Sequence, residues 1–145
     1  METRCLLTSK DYFILQAILD RGEIDPALVP PLRRKLASAA VVLRDDVPAD
    51  VVTINSRIAY SVDGGACRSR LLVQGQGPDF PSFALSIRTP RGLALLGRAE
   101  GQAALIALGD GAYERLRVER LFHQPEADIR ARQYGVATAP GADIG

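Results

Sequence analysis

The 145-residue sequence contains no tryptophan, one histidine and two cysteines. Cys5 and Cys67 stand too far apart for the paired spacing of a metal site, and two cysteines make no disulfide framework. No apolar run approaches the ~20 residues of a membrane-spanning helix. The first residues also lack the basic region, apolar core and small-residue cleavage site of a secretory signal. These absences predict a cytoplasmic protein that carries no metal and no cofactor.

The charges of the chain are nearly balanced, with 18 basic and 17 acidic side chains and a formal net charge of +1. Neither half of the sequence has the basic excess of a protein that is held mainly by phosphate contacts. We therefore expect DNA or RNA to be reached only indirectly, through a protein partner.

The sequence carries no recognisable catalytic motif. His123 has no nucleophile pattern near it and is predicted to lie at the surface. The serines lie in no nucleophile elbow, and the glycines fall at turns rather than in a phosphate-binding pattern. The acidic pair Asp45-Asp46 and the basic run Arg33-Arg34-Lys35 are typical of solvated surface. The residues argue against an enzyme and indicate no catalytic, cofactor-binding or metal-binding residue.

Residues 1–44 are predicted to form a short antiparallel helical hairpin. Thr8 and Asp11 have the spacing of a capping box, so Thr8 is expected to begin the first helix. Apolar residues then repeat at helical spacing in two segments separated by a turn. The predicted elements are a helix over residues 9–21 that stops at Gly22, a turn over 23–26 in which Asp25 caps an irregular helical turn, and a helix over 31–40.

A change to alternating periodicity marks a second unit, which follows a predicted linker over residues 45–50. Residues 51–62 alternate over their whole length and predict a long strand. Asp63-Gly64-Gly65 predicts a hairpin turn, and residues 67–74 form the predicted returning strand. The loop over residues 75–81 is expected to be the most mobile segment.

The segment from Ser82 to Gly97 is predicted to form a strand, a capped turn and a short helix. Alternating apolar residues from Phe83 to Ile87 indicate a half-buried strand. Thr89 and Pro90 are typical of the N-cap and first position of a helix, and Gly97 is expected to close this helix in the left-handed conformation. The predicted core joins Ile54, Leu95, Leu96 and Leu116.

The remaining elements complete an α+β fold. The apolar run over residues 103–108 predicts a covered strand, and residues 113–122 alternate as a second strand. Residues 126–145 are predicted to be a partly disordered tail. The order of elements predicts a helical hairpin followed by a mostly antiparallel sheet with one short helix on one face.

Two motifs resemble a known family. The stretch from Asp50 to Arg57 (DVVTINSR) closely resembles the start of the second domain in the regulator of nucleoside diphosphate kinase family, whose members are relatives of the Gre-type transcript cleavage factors. A second set resembles the most recognisable segment of the Gre C-terminal domain: Ser86, Thr89-Pro90, Gly92, Ala94-Leu95-Leu96-Gly97 and Gly101. The resemblance spans roughly residues 8–124.

The resemblance implies a fold and a partner. Residues 51–125 are expected to form an FKBP-like domain that docks on a coiled coil of RNA polymerase at the entrance of the secondary channel. The N-terminal helices are expected to form a coiled-coil finger. Because a rigid exposed turn binds at a lower entropic cost, we expect docking around the capped turn. The predicted partner-binding residues are Ser86, Arg88, Thr89, Pro90 and Arg91, with the arginines facing acids of the partner, and the predicted finger tip is Glu23 and Asp25.

Two departures from the Gre pattern bear on activity. Gre fingers carry paired acids at the tip that hold a catalytic metal inside the polymerase, whereas this turn offers only Glu23 and Asp25. A 13-residue helix also spans only about 20 Å. Gln102 stands where the Gre domain usually has an acid, which changes the local hydrogen bonding. The sequence therefore predicts a regulator of transcription elongation that competes with Gre-type factors without stimulating cleavage.

Two other functions stay open at this point. FKBP-like domains include prolyl isomerases, but their pocket is floored by an aromatic cluster that includes tryptophan, and this chain has none. The domain is otherwise an interaction module for a different coiled-coil partner. A pull-down from bacterial lysate separates these functions.

Overall fold

The computed structural model describes residues 5–75 and 80–133. Its helices are α1 (Ser9–Arg21), α2 (Val29–Ser38), α3 (Pro90–Leu95) and α4 (Pro125–Gln133). Its strands are β1 (Leu6–Thr8), β2 (Ala40–Val42), β3 (Arg57–Val62), β4 (Arg68–Val73), β5 (Ala84–Ser86), β6 (Ala103–Ala107) and β7 (Tyr113–His123). The predicted α+β class is confirmed. No helix among the described residues is long and apolar enough to cross a membrane.

Helix α1 begins and ends at the predicted residues. The Thr8 hydroxyl accepts a hydrogen bond from the Asp11 N–H at 3.0 Å, which satisfies one of the first-turn donors that have no partner inside the helix. Gly22 adopts φ 67° at the other end, where a left-handed residue closes the helix. Asp11 does not complete the predicted capping box, because its carboxylate bonds to a distant backbone N–H instead.

The prediction for the second helix is wrong at both ends, since α2 covers Val29–Ser38 and not residues 31–40. Pro30 and Pro31 fit inside its first turn, where the backbone N–H groups have no helical acceptor. A 3-10 turn over Pro26–Leu28 precedes α2 and is capped by Asp25, as predicted. Ala40 belongs to β2, which pairs in parallel with β1.

The main sheet has the strand order β5-β4-β3-β7-β6. Its pairs are antiparallel except for β4 and β5, which run in parallel. The hairpin predicted at Asp63-Gly64-Gly65 is confirmed: Asp63 and Gly64 adopt φ 52° and 76°, and the Gly65 N–H donates to Val62 O at 2.9 Å. Positive φ at both central residues is the geometry of a type I′ turn.

The prediction of one strand over residues 51–62 is wrong for its first half. Asn55 adopts φ 75°, and the Ser56 N–H donates to Thr53 O at 3.0 Å, so the chain turns before β3 begins. Val51 and Val52 are both buried, which alternation in a strand with one exposed face does not allow. Residues 51–56 therefore fold as a mostly buried turn.

The predicted core is confirmed. Ile54, Leu95, Leu96 and Leu116 are all buried and belong to one hydrophobic cluster. The same cluster contains Leu15 of α1 and Leu32 of α2. The helical unit therefore packs on the same core as the sheet.

Two predictions near the end of the chain are wrong. Strand β6 is an edge strand and not a covered one, since Leu105 is 66% exposed. Residues 126–133 are not a frayed tail but the larger part of α4. Helix α4 is anchored by Arg130, which donates to the carbonyls of Arg44 at 2.7 Å and Val47 at 2.9 Å. Most of the loop that was predicted to be mobile, residues 76–79, lies outside the described residues. The rest of the predicted tail, residues 134–145, lies outside them as well.

A candidate docking loop and the helical turn beside it

The loop between β5 and α3, residues 86–91, is called the docking loop below because it is the candidate docking surface, and local hydrogen bonds fix its shape. The Ser86 hydroxyl accepts from the Arg88 N–H at 3.0 Å. The Thr89 hydroxyl donates to Ser86 O at 2.6 Å and accepts from the Gly92 N–H at 3.1 Å. Thr89 is therefore the predicted N-cap of α3, and these bonds give the turn a fixed shape.

Gly92 is required by this turn. A Cβ atom at position 92 overlaps the carbonyl oxygen of Ser86, which is a backbone atom and cannot move aside cheaply. Gly97, which ends the segment, has φ 89°, and its Cβ overlaps the sulfur of Cys5. Both glycines belong to the Gre-like motif, so the motif encodes close backbone approach at these positions.

Arg88 joins the docking loop to the turn between the two helices. Its guanidinium donates to Gln74 O at 3.1 Å through Nε and to Glu23 O at 3.0 Å through Nη1. Its Nη2 also lies 3.8 Å from the Glu23 carboxylate. The structure thus brings together a predicted partner-binding residue and a predicted finger-tip residue, which the sequence had assigned to separate units.

Arg91 forms a two-pronged ion pair with Glu114 of β7, at 2.9 Å and 2.8 Å. The hydrogen bonds from Arg91 hold the pKa of the Glu114 carboxyl below its ordinary value, and they raise the pKa of the guanidinium. Both arginines that were expected to face a partner's acids therefore have internal partners. Pro90 is the one residue of the predicted set that is exposed, Arg88, Thr89 and Arg91 are half-buried, and Ser86 is buried.

The two acids of the helical turn also have structural roles. The Asp25 carboxylate accepts from the Ala27 N–H at 2.8 Å and caps the 3-10 turn. The Glu23 carboxylate faces Arg88, as described above. Among the described residues, no contact brings the Glu23 and Asp25 carboxylates together.

A buried acidic contact, which the sequence did not reveal, fixes the turn over residues 51–56. The Asp11 carboxylate accepts from the Ile54 N–H at 3.1 Å and is 1% exposed. From the other side, the Thr53 hydroxyl donates to the Glu126 carboxylate of α4 at 2.7 Å. Burial raises the pKa of Asp11 to about 6, with a further contribution from Glu126. The only sequence signal was an acid three residues after a Thr, which indicates a cap and not a long-range contact.

The chain is similar to curated proteins named regulator of nucleoside diphosphate kinase. The relative from Escherichia coli K12 is 35% identical over 120 residues, which cover 75% of this chain and 88% of the relative. The relative from Shigella flexneri shows the same identity and coverage. The chain belongs to the regulator of nucleoside diphosphate kinase family. No family model matches the chain.

A solved structure shares the fold of this chain. It is a prokaryotic transcription elongation factor GreA/GreB from Nitrosomonas europaea, with a TM-score of 0.65 and 28% identity. The similarity covers 84% of this chain and all of the other one. It therefore includes the helical unit as well as the sheet.

One groove on the sheet differs from the aromatic-lined pocket expected of a prolyl isomerase. A groove of about 310 Å³ on the sheet is lined by Arg57, Ser69, Arg70, Leu71 and Phe83 and so contains a single aromatic ring. His123 lies exposed at the end of β7. Within residues 5–75 and 80–133, no cluster of His, Cys, Asp and Glu side chains is arranged to hold a metal ion.

Proposed function

We propose that this chain is an RNA polymerase-binding regulator of transcription elongation that competes with Gre-type factors without stimulating transcript cleavage. The observation that supports this proposal most directly is the fold that 84% of the chain shares with a GreA/GreB elongation factor. That similarity takes in both units that a channel ligand needs, a helical unit and the sheet domain with its docking loop. The proposed site of action is the entrance of the secondary channel, and the proposed compartment is the cytoplasm.

Each predicted domain is proposed to have its own role in binding the polymerase. Residues 1–44 act as a short coiled-coil finger and residues 51–125 as an FKBP-like docking domain, with residues 45–50 between them. The docking loop from Ser86 to Arg91 meets the polymerase coiled coil as a preformed shape, because its cap and its bonds within the turn leave little freedom to lose. Pro90 is the exposed centre of that shape.

The helical turn supports the proposal that the protein does not stimulate cleavage. Cleavage by the Gre mechanism needs carboxylates that fix a metal ion at the reacting phosphate. Here the Asp25 carboxylate caps the 3-10 turn and the Glu23 carboxylate faces Arg88. Helix α1 has 13 residues, which give a reach of about 20 Å. A short finger still excludes a longer finger from the same entrance, even though its two carboxylates already have partners within the chain.

A stalled elongation complex with magnesium tests this proposal. The protein alone is expected to give no cleavage above background. Added with a Gre factor, it is expected to reduce cleavage, and a higher concentration of the Gre factor is expected to restore it. Cleavage by this protein alone that is lost in the Glu23→Ala/Asp25→Ala variant contradicts the proposal.

The remaining candidate is a module that binds a coiled coil other than that of the polymerase. It predicts that purified polymerase is not retained by the immobilised protein. Any effect on nucleoside diphosphate kinase, which the family name states, is proposed to be an indirect result of altered transcription.

A further inference from the structure

The groove on the sheet collects hydrogen-bond donors that the proposed function does not use. It has a volume of about 310 Å³ and is lined by Arg57, Ser69, Arg70, Leu71 and Phe83. This volume lies at the lower end of the range for pockets that hold small molecules. The residues that line the groove where the structure describes it include two arginines and no acid. The groove is therefore positively charged.

Arg57 has no partner inside the fold. It is the last residue of the family motif DVVTINSR, and it is exposed. Its neighbours across the sheet are Leu71 of β4 and His123 of β7, so no acid is paired with it in the register. Within residues 5–75 and 80–133, its guanidinium makes no hydrogen bond and no ion pair. Its N–H groups are therefore open to a ligand in the groove.

Arg70 supplies a second guanidinium from the neighbouring strand. Leu71, which is paired with Arg57, follows Arg70 in the chain, so the two arginines start from adjacent positions. Strand β5 pairs with β4 only from Leu71 onward, which leaves the edge of β4 open beside Arg70. There the Arg70 Nη1 donates to Ser69 O at 2.7 Å. This bond holds the guanidinium at the groove and leaves N–H groups without an acceptor among the described residues.

Phe83 and Leu71 give the groove an apolar side. The Leu71 N–H donates to Phe83 O at 2.8 Å, so the backbone holds the two residues next to each other. The Phe83 side chain is 51% exposed. An exposed aromatic ring is a surface on which a planar ligand ring stacks. The groove thus places guanidinium donors beside an aromatic surface.

The charge of the groove decides which anion it fits. A phosphate monoester carries a charge of about −1.5 to −2 at neutral pH and has three strong acceptor oxygens. A single carboxylate has one charge and is matched by one guanidinium, so two arginines fit a phosphate better. The acid Glu119 does not neutralise them, because it bonds to the Ser61 hydroxyl at 2.7 Å. Ser61 is four residues from Arg57 along β3, about 13 Å away.

We propose that this groove binds a nucleoside phosphate, with the phosphate at Arg57 and Arg70 and the base stacked on Phe83. Guanidinium groups bind phosphate through paired hydrogen bonds, and a base presents a flat ring to the phenyl group. The headgroup of a phospholipid lacks the flat ring, and an acidic peptide lacks the doubly charged group. The combination in this groove therefore favours a nucleotide over either of them.

The first test is a titration of the isotope-labelled protein with adenosine monophosphate, followed by the NMR shifts of its backbone amides. The shifts are expected to saturate with a dissociation constant on the order of 0.1 mM and to centre on Ser69, Leu71 and Phe83. Adenosine, which lacks the phosphate, and ribose phosphate, which lacks the base, are each expected to bind at least tenfold more weakly.

The second test assigns the two halves of the ligand to residues. Arg57→Gln is expected to weaken adenosine monophosphate at least tenfold and to leave adenosine unchanged. Phe83→Leu is expected to weaken both adenosine compounds and to leave ribose phosphate unchanged. The matched controls are Arg115→Gln, at an exposed arginine of β7 outside the groove, and Phe13→Leu, at a ring that is 74% exposed on α1. Both are expected to bind like the wild type.

Four results overturn the proposal. The first is the absence of saturating shifts with millimolar adenosine monophosphate. The second is an equal loss in Arg57→Gln and Arg115→Gln, which would mean general attraction of anions. The third is inorganic phosphate binding as tightly as the nucleotide, and the fourth is a single-stranded RNA or an acidic peptide binding the same residues more tightly. None of these measurements involves polymerase, so the proposed function and this proposal fail independently.

Discussion

Arg88 of the docking loop holds the carbonyl oxygen of Glu23, 65 residues earlier in the chain, at 3.0 Å. The same guanidinium holds Gln74 O at 3.1 Å. A single side chain therefore spans three segments: the helical turn, the end of β4 and the loop before α3. It fixes where the helical unit lies relative to the loop that is proposed to dock.

Replacing Arg88 is expected to cost more than replacing its acidic partner. Arg88→Ala removes charge-assisted hydrogen bonds to two carbonyls and is expected to lower the free energy of unfolding by about 1–3 kcal/mol. Glu23→Gln keeps the backbone carbonyl and removes only a 3.8 Å ion pair at a partly exposed site, so the expected loss is under ~0.5 kcal/mol. Urea denaturation of both variants measures the difference. Equal losses would show that the ion pair, and not the carbonyl, is the main contact.

Asp11 is expected to make stability depend on pH. Burial raises its pKa from 3.8 to about 6, so the folded state binds the proton more tightly than the unfolded state. The contribution of this group is therefore most favourable below pH ~4, falls as the pH rises through about 6, and is then fully lost. The total change is on the order of 3 kcal/mol.

Asp11→Asn tests this dependence while keeping an oxygen that accepts from the Ile54 N–H. The variant is expected to show a flatter profile of unfolding free energy between pH 4 and 7 than the wild type does. Asp45→Asn, at an exposed position, is the matched control and is expected to leave the profile unchanged. A wild-type profile without this slope would contradict the raised pKa.

Leu96 is expected to be one of the most sensitive core positions. It is fully buried, and its carbonyl accepts from the Cys5 thiol at 3.3 Å. Leu96→Ala is expected to cost about 2–5 kcal/mol in urea denaturation, because it leaves a cavity between the helical unit and the sheet. Leu43→Ala, at a side chain that is 63% exposed, is expected to cost under ~0.5 kcal/mol. A loss below ~1 kcal/mol at Leu96 would place α3 outside the main core.

Pro90→Glu tests the docking loop without breaking its internal bonds. Proline has no N–H to lose, and an acid in the first turn of a helix is favourable, so the fold is expected to persist. Retention of RNA polymerase by the immobilised variant is expected to fall at least tenfold. Pro48→Glu, at another exposed proline, is expected to bind like the wild type. Unchanged binding of a folded Pro90→Glu variant would move the proposed docking surface elsewhere.

Local chemistry made several elements predictable from sequence. Thr8 and Gly22 bound α1 as expected, and Thr89-Pro90 begins α3, because a cap or a left-handed residue acts within one turn of the chain. The Asp63-Gly64 turn was predictable for the same reason. In each case the residues that determine the structure are neighbours in sequence.

Long-range contacts were not predictable in the same way. The turn over residues 51–56 alternates like a strand, but contacts with α1 and α4 stabilise a different backbone path. The sequence predicts that Lys35 belongs to a solvated basic run. In the structure Lys35 is buried beside Cys5, and burial lowers the pKa of its ammonium group. Helix α4 has no apolar stripe, since its anchors are the polar side chains of Glu126 and Arg130. The capped turn of the candidate site was predictable from Thr89 and Pro90, but nothing in the sequence pairs Arg88 with Glu23.

The position of α4 in the chain has a consequence for the order of folding. Synthesis proceeds from the N-terminus, and early segments begin to fold before later ones exist. The turn over residues 51–56 emerges early and contains a contact of its own between the Thr53 and Ser56 hydroxyls, but the bond from the Thr53 hydroxyl to the Glu126 carboxylate forms with a residue 73 positions later. Gln124, just before α4, likewise bonds back to the carbonyls of Pro48 and Val51, both at 2.7 Å. The nascent protein therefore holds its family motif incompletely bonded until α4 has been made, and ribosome-bound chains that stop before residue 124 are expected to expose this turn to proteases.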